Sequence, residues 1–129
     1  MPVQFSTPSY SLSFGTPLHV VGSYIEKLPT NVSEFMIMAD GKYTIDYQMA
    51  VSYETITADM SVYADLVSAH DGILAAIQFP HESNVLRQQS VTVQLAASDI
   101  IQVVMRQEGM GDYQQLSVYN QVINFTRIA

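Results

Sequence analysis

The chain has 129 residues, a net charge of −7 and no cysteine, which suits one domain and excludes disulfides and thiolate metal sites. It has 5 basic residues against 12 acidic ones and no basic cluster, so we expect neither nucleic acid nor an anionic membrane as a partner. Charged residues make up 13% of the chain, against about 25% in ordinary soluble domains, and we therefore expect self-association to cover part of the surface.

The first 17 residues contain three prolines among serines and threonines. Proline fixes φ and cannot donate a backbone hydrogen bond, so we expect residues 1–17 to form an extended arm. This arm has neither a basic start nor an apolar block, and we expect no secretory signal. No apolar run in the chain reaches the roughly 18 residues that a transmembrane helix needs. The folded domain is predicted to span residues 18–129.

The strongest pattern in the chain is an alternation that runs from Tyr43 to Tyr53. Every second residue of this segment is large and apolar or aromatic, and the residues between them are small or polar. A period of two predicts a β-strand with one buried face, because successive side chains point to opposite sides. Asp40-Gly41 is a turn signal, and we interpret the residues 34–38 before it as the other strand of a β-hairpin.

Other segments with strand-like patterns are separated by turn residues. Residues 81–87 are polar and are predicted to form a loop, and the apolar phase shifts near Asn120, which predicts a bulge. About eight to ten antiparallel strands without a long helix predict an all-β jelly-roll sandwich. The further predicted strands are residues 18–25, 60–67, 73–79, 91–95, 100–105, 116–118 and 122–128.

Three of these segments resemble the C1q/TNF-like jelly-roll superfamily. Residues 40–47 are similar to the family's entry into its long central strand. Residues 91–103 resemble a strand, turn and strand of the family, with Ser98 where a glycine usually precedes Asp99. Residues 122–128 are similar to its closing strand. The resemblance covers the predicted domain and is closest to short bacterial versions, which form exosporium and collagen-like filament tip domains, and similar modules occur in phage fibres.

The resemblance implies a compact homotrimer with aromatic residues along its threefold axis. It implies assembly, adhesion or ligand recognition rather than catalysis, and no cofactor. We therefore expect a structural or recognition module on the surface of a spore or a comparable particle, joined to other surface proteins through residues 1–17. A virion protein, either a fibre head or a capsid decoration, is the alternative.

Five large side chains on predicted strands are candidates for the trimer interface or for the core of a single chain. Tyrosine is enriched at interfaces, and it also packs in cores when its hydroxyl finds a partner, so the pattern leaves both roles open. These residues are Tyr43, Tyr47, Met49, Tyr53 and Phe125.

Exposed aromatic side chains also serve as stacking platforms for sugars, which makes a carbohydrate-binding module a further alternative. Tyr113 and Tyr119 are the candidate ligand-binding residues for this role. Glycans are the ligand class that this alternative predicts.

No metal site is predicted. His19, His70 and His81 lack the close spacing of metal-binding histidines, and we expect the Asp99 carboxylate to accept backbone N–H bonds in its turn. The loop at 108–112 offers two carboxylates, fewer oxygens than calcium requires. The sequence also contains none of the nucleophile, phosphate-binding or dinucleotide-binding motifs of common enzymes, so we expect no catalysis.

Overall fold

The computed structural model describes residues 3–5, 9–12, 19–20, 25–27, 33–53, 60–80, 82, 84–109 and 115–128. Eleven β-strands account for the regular structure of these residues, and none of them is helical. The described part of the chain accordingly has no helix that would cross a membrane. The strands are β1 (Val3–Phe5), β2 (Ser9–Ser11), β3 (His19–Val20), β4 (Ile25–Lys27), β5 (Phe35–Ile37), β6 (Gly41–Tyr53), β7 (Met60–Ser68), β8 (Gly72–Phe79), β9 (Val85–Leu95), β10 (Ile100–Gly109) and β11 (Leu116–Arg127).

These strands form two sheets. Sheet A has the order β1-β11-β6-β9, with β3 beside β11, and sheet B has the order β4-β5-β10-β7-β8, with β2 beside β10. Every pair is antiparallel except β3 with β11. From β5 to β11 the chain passes repeatedly between the two sheets, as in a jelly roll. The predicted all-β jelly-roll class is confirmed.

The core between the sheets is built from alternate residues of the long strands. In β6 the odd-numbered residues from Tyr43 to Tyr53 are buried, and β10 contributes Ile101 and Met105 in the same way. Phe35 of sheet B and Phe125 of sheet A meet across the core, with ring centroids 5.4 Å apart. The period-two pattern therefore marks the residues that join the two sheets.

Two local predictions were wrong. Residues 34–38 do not form a hairpin with the long strand, because β5 pairs with β4 and β10 in sheet B while β6 lies in sheet A. A turn signal in the sequence does not distinguish a hairpin from a connection between sheets. The loop predicted at residues 81–87 is shorter than expected, since β9 begins at Val85. Residues 87–90 of β9 are polar, which suits an edge strand of sheet A among the described residues.

Residues 1–17 contribute strands to both sheets. β1 pairs with β11, β2 pairs with β10, and the Leu12 side chain is fully buried in the core. The described residues of this segment have the extended conformation that we expected, but they belong to the sandwich. The predicted boundary between residues 17 and 18 lies outside the described residues.

Candidate functional site

The outward face of sheet A is the candidate functional surface. Its side chains come from the even-numbered residues of β6 and from their partners on β9 and β11. Residues directly opposite each other in an antiparallel sheet lie about 5 Å apart, so these three strands carry rows of neighbouring side chains. The rows are polar at one end of the face and apolar at the other.

The polar region consists of short, mostly neutral side chains. The hydroxyl oxygens of Thr44 and Thr92 lie 3.0 Å apart, and the Ser90 hydroxyl donates to the Asp46 carboxylate. The Asn124 Oδ1 atom is buried without a hydrogen-bond partner among the described residues. The rows are Thr126, Thr44 and Thr92, then Asn124, Asp46 and Ser90.

The apolar region lies around Tyr119, and we call Ala50, Leu86, Tyr119 and Val122 the Tyr119 patch. Tyr119 of β11 is opposite Ala50 of β6, which is opposite Leu86 of β9. The Tyr119 hydroxyl donates to Asn84 Oδ1 at 2.6 Å, so the side chain reaches across β6 toward the start of β9. Ala50 beneath it is only 2% exposed, whereas Leu86 is 52% and Val122 40% exposed.

Two residues with left-handed backbone conformation shape the Tyr119 patch. Asn120 has φ +54° and lies in the register shift between Tyr119 and Val122, which confirms the bulge predicted near this residue. Asn84 has φ +67° and precedes β9. Asparagine tolerates this conformation better than most residues. The bulge brings both Tyr119 and Val122 to the outward face, although a regular strand would place residues three apart on opposite faces.

The opposite end of the sandwich is organised by one carboxylate. Ser68 Oγ donates to Asp99 Oδ2 at 2.6 Å, and the backbone N–H groups of His70 and Ile100 donate to Asp99 Oδ1 at 3.2 and 2.8 Å. The expected role of Asp99 as an acceptor of backbone N–H bonds is confirmed. We call the turns 38–40, 69–71 and 96–99, which meet here, the Asp99 end.

Backbone bonds tie the same turns together. The Ile37 N–H donates to the Asp99 carbonyl at 2.9 Å, and the Ser98 N–H donates to the Ile37 carbonyl at 2.7 Å. Ala97 N–H donates to Asp40 Oδ1 at 2.7 Å. Ser98 has φ +76°, the left-handed conformation that glycine adopts without strain. The turn therefore forms with serine where the resembling family usually has glycine.

An open pocket of about 350 Å³ lies at the Asp99 end. It contains serine, histidine and aspartate near one another, but their contacts do not form a catalytic relay. His70 contacts Asp99 and the neighbouring Ser68 through its backbone N–H, and Ser68 donates directly to the carboxylate. In a catalytic relay, by contrast, the serine hydroxyl donates to a histidine imidazole. The pocket is lined by Ala69, His70, Ala96, Ala97, Ser98 and Asp99.

The described residues contain no group of three histidine, aspartate or glutamate side chains that would hold a metal ion. Glu108 lies 2.5 Å from Arg106 in an ion pair, whereas Asp112 and His81 lie outside the described residues. The His19 side chain is likewise not described.

The five candidates for interface or core all lie in the core of the single chain. Tyr43, Tyr47, Met49 and Phe125 are at most 1% exposed, and Tyr53 is 8% exposed. Among the ligand-binding candidates, Tyr119 is partly exposed and Tyr113 lies outside the described residues.

Each buried tyrosine hydroxyl donates to a backbone carbonyl. The acceptors are Ala39 for Tyr43 at 2.6 Å, Ala64 for Tyr47 at 3.0 Å and Pro80 for Tyr53 at 3.0 Å. Burial raises the pKa of Tyr53 to about 12. Burial, reinforced by the Asp65 carboxylate, raises the pKa of Tyr47 above its usual range. These hydrogen bonds hold the three tyrosine side chains in place within the core.

The outward face of sheet B carries an ion-pair cluster that the sequence analysis missed. Asp65 is 3% exposed and accepts from Arg106 Nε at 2.7 Å, and the Arg106 guanidinium lies 4.1 Å from the centre of the Tyr63 ring. No sequence pattern predicts this cluster, since its residues come from β7 and β10, which are separate in the chain. Leu86 was also missed, because it lay in a predicted loop.

Solved structures with the same fold are distant in sequence. The chain is similar to rabbit GITRL, with TM-score 0.51 and 14% identity over 81% of this chain and 77% of that one. It is similar to Eiger TNF from S. frugiperda, with TM-score 0.54 and 12% identity over 81% and 69% of the two chains. Murine APRIL matches with TM-score 0.50 and 14% identity over 84% and 80%.

No family model and no curated protein sequence matches the chain. At such low identity the likeness concerns architecture alone. The sheet order, the jelly-roll connections and these structural neighbours together establish that the chain has a C1q/TNF-like jelly-roll fold.

Proposed function

We propose that the chain is a non-enzymatic structural and recognition module that assembles as a homotrimer. The observation that carries this proposal is the Tyr119 patch, where Leu86 and Val122 are exposed beside an anchored tyrosine. Covering an exposed leucine contributes on the order of 1 kcal/mol, and tyrosine is enriched in protein interfaces. A second copy of the chain is therefore the proposed occupant of this patch.

Two further observations support self-association. The charged fraction of the chain is 13%, low for a protein that exposes its whole surface to water. The polar region beside the patch contains hydroxyl and amide groups, with Asp46 as the charged member of its rows. Such side chains join an interface with little desolvation penalty compared with charges. The number of three copies rests on the resemblance to the C1q/TNF-like superfamily.

The proposed location is the surface of a spore or a comparable particle, where the trimer serves assembly or adhesion. The support is the resemblance to exosporium and filament tip domains, and a virion surface is the alternative. Antibody labelling of intact particles tests the location. Labelling of spores supports the first setting, labelling of virions supports the alternative, and labelling of neither contradicts both.

The experiment for the assembly is a pair of matched substitutions analysed by sedimentation velocity. Leu86→Asp places a charge in the Tyr119 patch, and Ile73→Asp places one on sheet B at a residue that is 61% exposed. We expect Leu86→Asp to convert trimers to monomers and Ile73→Asp to leave the trimer mass unchanged. Equal behaviour of the two variants would contradict the proposed interface.

Carbohydrate binding is a second candidate function. Its support is the Tyr119 side chain, which lies across β6 with its hydroxyl anchored by Asn84, beside neutral hydrogen-bonding side chains. Sugars combine apolar C–H faces with hydroxyl groups, which such a surface complements. We expect a glycan array to show binding that Tyr119→Ala abolishes, and an array without hits would refute this candidate.

A further inference from the structure

Short strands from the N-terminal part of the chain pair with one edge of β10 and with one edge of β11. On β10, the edge is paired with β5 at residues 100–101 and with β2 at residues 104–106. On β11, the edge is paired with β1 at residues 116–118 and with β3 at residues 124–125. Ladders of two or three residues are weak units, so these edges open at low free energy compared with the rest of the sheets.

The described N-terminal residues 3–5 and 9–12 are bound by the sandwich much as a peptide is bound. β1 and β2 add to the edges of two sheets by backbone pairing, and the Leu12 N–H donates to the Val103 carbonyl at 2.8 Å. Leu12 is fully buried, and Tyr10 packs against the core. Backbone pairing combined with pockets for alternate side chains is the recognition mode of β-strand addition.

Charge does not oppose binding of this segment by any copy of the chain. Residues 3–12 contain no aspartate, glutamate, lysine or arginine, although the whole chain carries a net charge of −7. A neutral strand adds no repulsion when it approaches a second acidic copy. The edges of β10 and β11 recognise the same sequence whichever copy supplies it, because exchanged elements make identical contacts.

We propose that residues 3–12 are exchanged between copies, so that the segment of one chain completes the two sheet edges of another. This inference rests on the proposed self-assembly and assigns the N-terminal segment its partner, a second copy of the same chain. Exchange links neighbouring copies in addition to the proposed contact at the Tyr119 patch. The sequence led us to expect that the N-terminal segment docks onto a different protein. We infer instead that it docks onto β10 and β11 of another copy of the chain.

The test uses full-length chains with single cysteines, which is practical because the natural chain has none. Gln4 is the register partner of Ser117, so Gln4→Cys and Ser117→Cys chains are co-expressed, oxidised and examined by denaturing mass spectrometry. Ser11 and Val104 form a second register pair on sheet B, tested as Ser11→Cys with Val104→Cys. The control combines Gln4→Cys with Thr92→Cys on β9, three strands away from β1 in sheet A.

We expect both register pairs to give covalent heterodimers several-fold above the control. Heterodimers from one pair alone would contradict exchange, because a chance contact between neighbouring copies does not reproduce both registers. A chain that carries both Gln4→Cys and Ser117→Cys and forms only an internal disulfide would also overturn the proposal. The mass of the reduced samples separates the two hypotheses: a trimer without heterodimers retains the proposed function and rejects exchange, whereas a monomer rejects the proposed function itself.

Discussion

The two ends of the sandwich use their polar groups in opposite ways. At the Asp99 end, a buried carboxylate and several backbone bonds join three turns. Around the Tyr119 patch, one hydrogen bond anchors a tyrosine while Leu86 and Val122 remain exposed. The first arrangement satisfies its own polar groups within the chain and holds the fold. The second leaves apolar surface that a partner can cover.

The hydrogen bonds and exposure of a residue separate structural residues from candidate interface residues better than residue type does. Serine, histidine and aspartate at the Asp99 end look like reactive groups in the sequence, yet their bonds stabilise turns. Leucine and valine on sheet A look unremarkable, yet Leu86 and Val122 form the exposed part of the Tyr119 patch.

Substitution of Asp99 is expected to have the largest effect on stability. Asp99→Ala removes the buried carboxylate that accepts from the Ser68 hydroxyl and from the backbone N–H groups of His70 and Ile100, and we expect a loss of about 3 kcal/mol in the free energy of unfolding. Urea denaturation measures this value. Asp71→Ala in the adjacent exposed turn is the matched control, with an expected change below about 0.5 kcal/mol. Similar losses for both variants would show that Asp99 does not organise this end.

Removal of one core hydroxyl is expected to have a smaller effect. Tyr47→Phe deletes the buried hydrogen bond that the Tyr47 hydroxyl donates to the Ala64 carbonyl at 3.0 Å. We expect the free energy of unfolding, measured by urea denaturation, to fall by about 1.5 kcal/mol. Tyr119→Phe, which deletes a donor on the exposed face, is expected to lose less. A larger loss for Tyr119→Phe would contradict the assignment of Tyr47 to structure and Tyr119 to surface.

Stability is expected to fall in alkaline solution. Burial raises the pKa of Tyr53 to about 12, whereas tyrosine in an unfolded chain has a pKa of about 10. Between these two pH values the Tyr53 hydroxyl is ionised in the unfolded chain and still protonated in the folded chain. The contribution of Tyr53 to the free energy of unfolding is therefore complete below pH 10 and is lost as the pH rises to 12. Tyr53 alone is expected to lower the free energy of unfolding by about 1 kcal/mol at pH 11. Tyr53→Phe should flatten the measured profile, and an unchanged profile would refute this cause.

Substitution of Ser98 is expected to increase stability. Ser98→Gly relieves the strain of a left-handed backbone conformation at φ +76°. We expect the free energy of unfolding to rise by about 0.5 kcal/mol. The gain is small because glycine adopts this conformation freely but loses more entropy on folding. Thermal unfolding measures the gain. Ser98→Ala retains the strain and should give no gain, so equal stabilisation by both variants would contradict the explanation.

The sequence predicted those parts of the fold that depend on local periodicity. The alternation from Tyr43 to Tyr53 marked both the longest strand and its buried face, and the phase shift marked the bulge at Asn120. The sheet membership of β5 was not predictable, because a turn signal is local and sheet pairing is not. The N-terminal strands were missed because prolines and serines resemble a linker, while backbone pairing to β10 and β11 depends little on side chains.

The candidate site was less predictable than the fold. Tyr119 was named as a candidate, but its neighbours Leu86 and Val122 meet it through register across three strands and through a bulge. The same reason hid the Asp65–Arg106 pair on sheet B. Cross-strand neighbours are set by pairing, and a single sequence does not contain that pairing.

The measurement that tests the central claim most directly is the solution mass of the unmodified chain by light scattering at micromolar concentration. We predict the mass of three chains of 14.3 kDa each. A stable monomer would contradict the assignment of the Tyr119 patch as a surface for self-association.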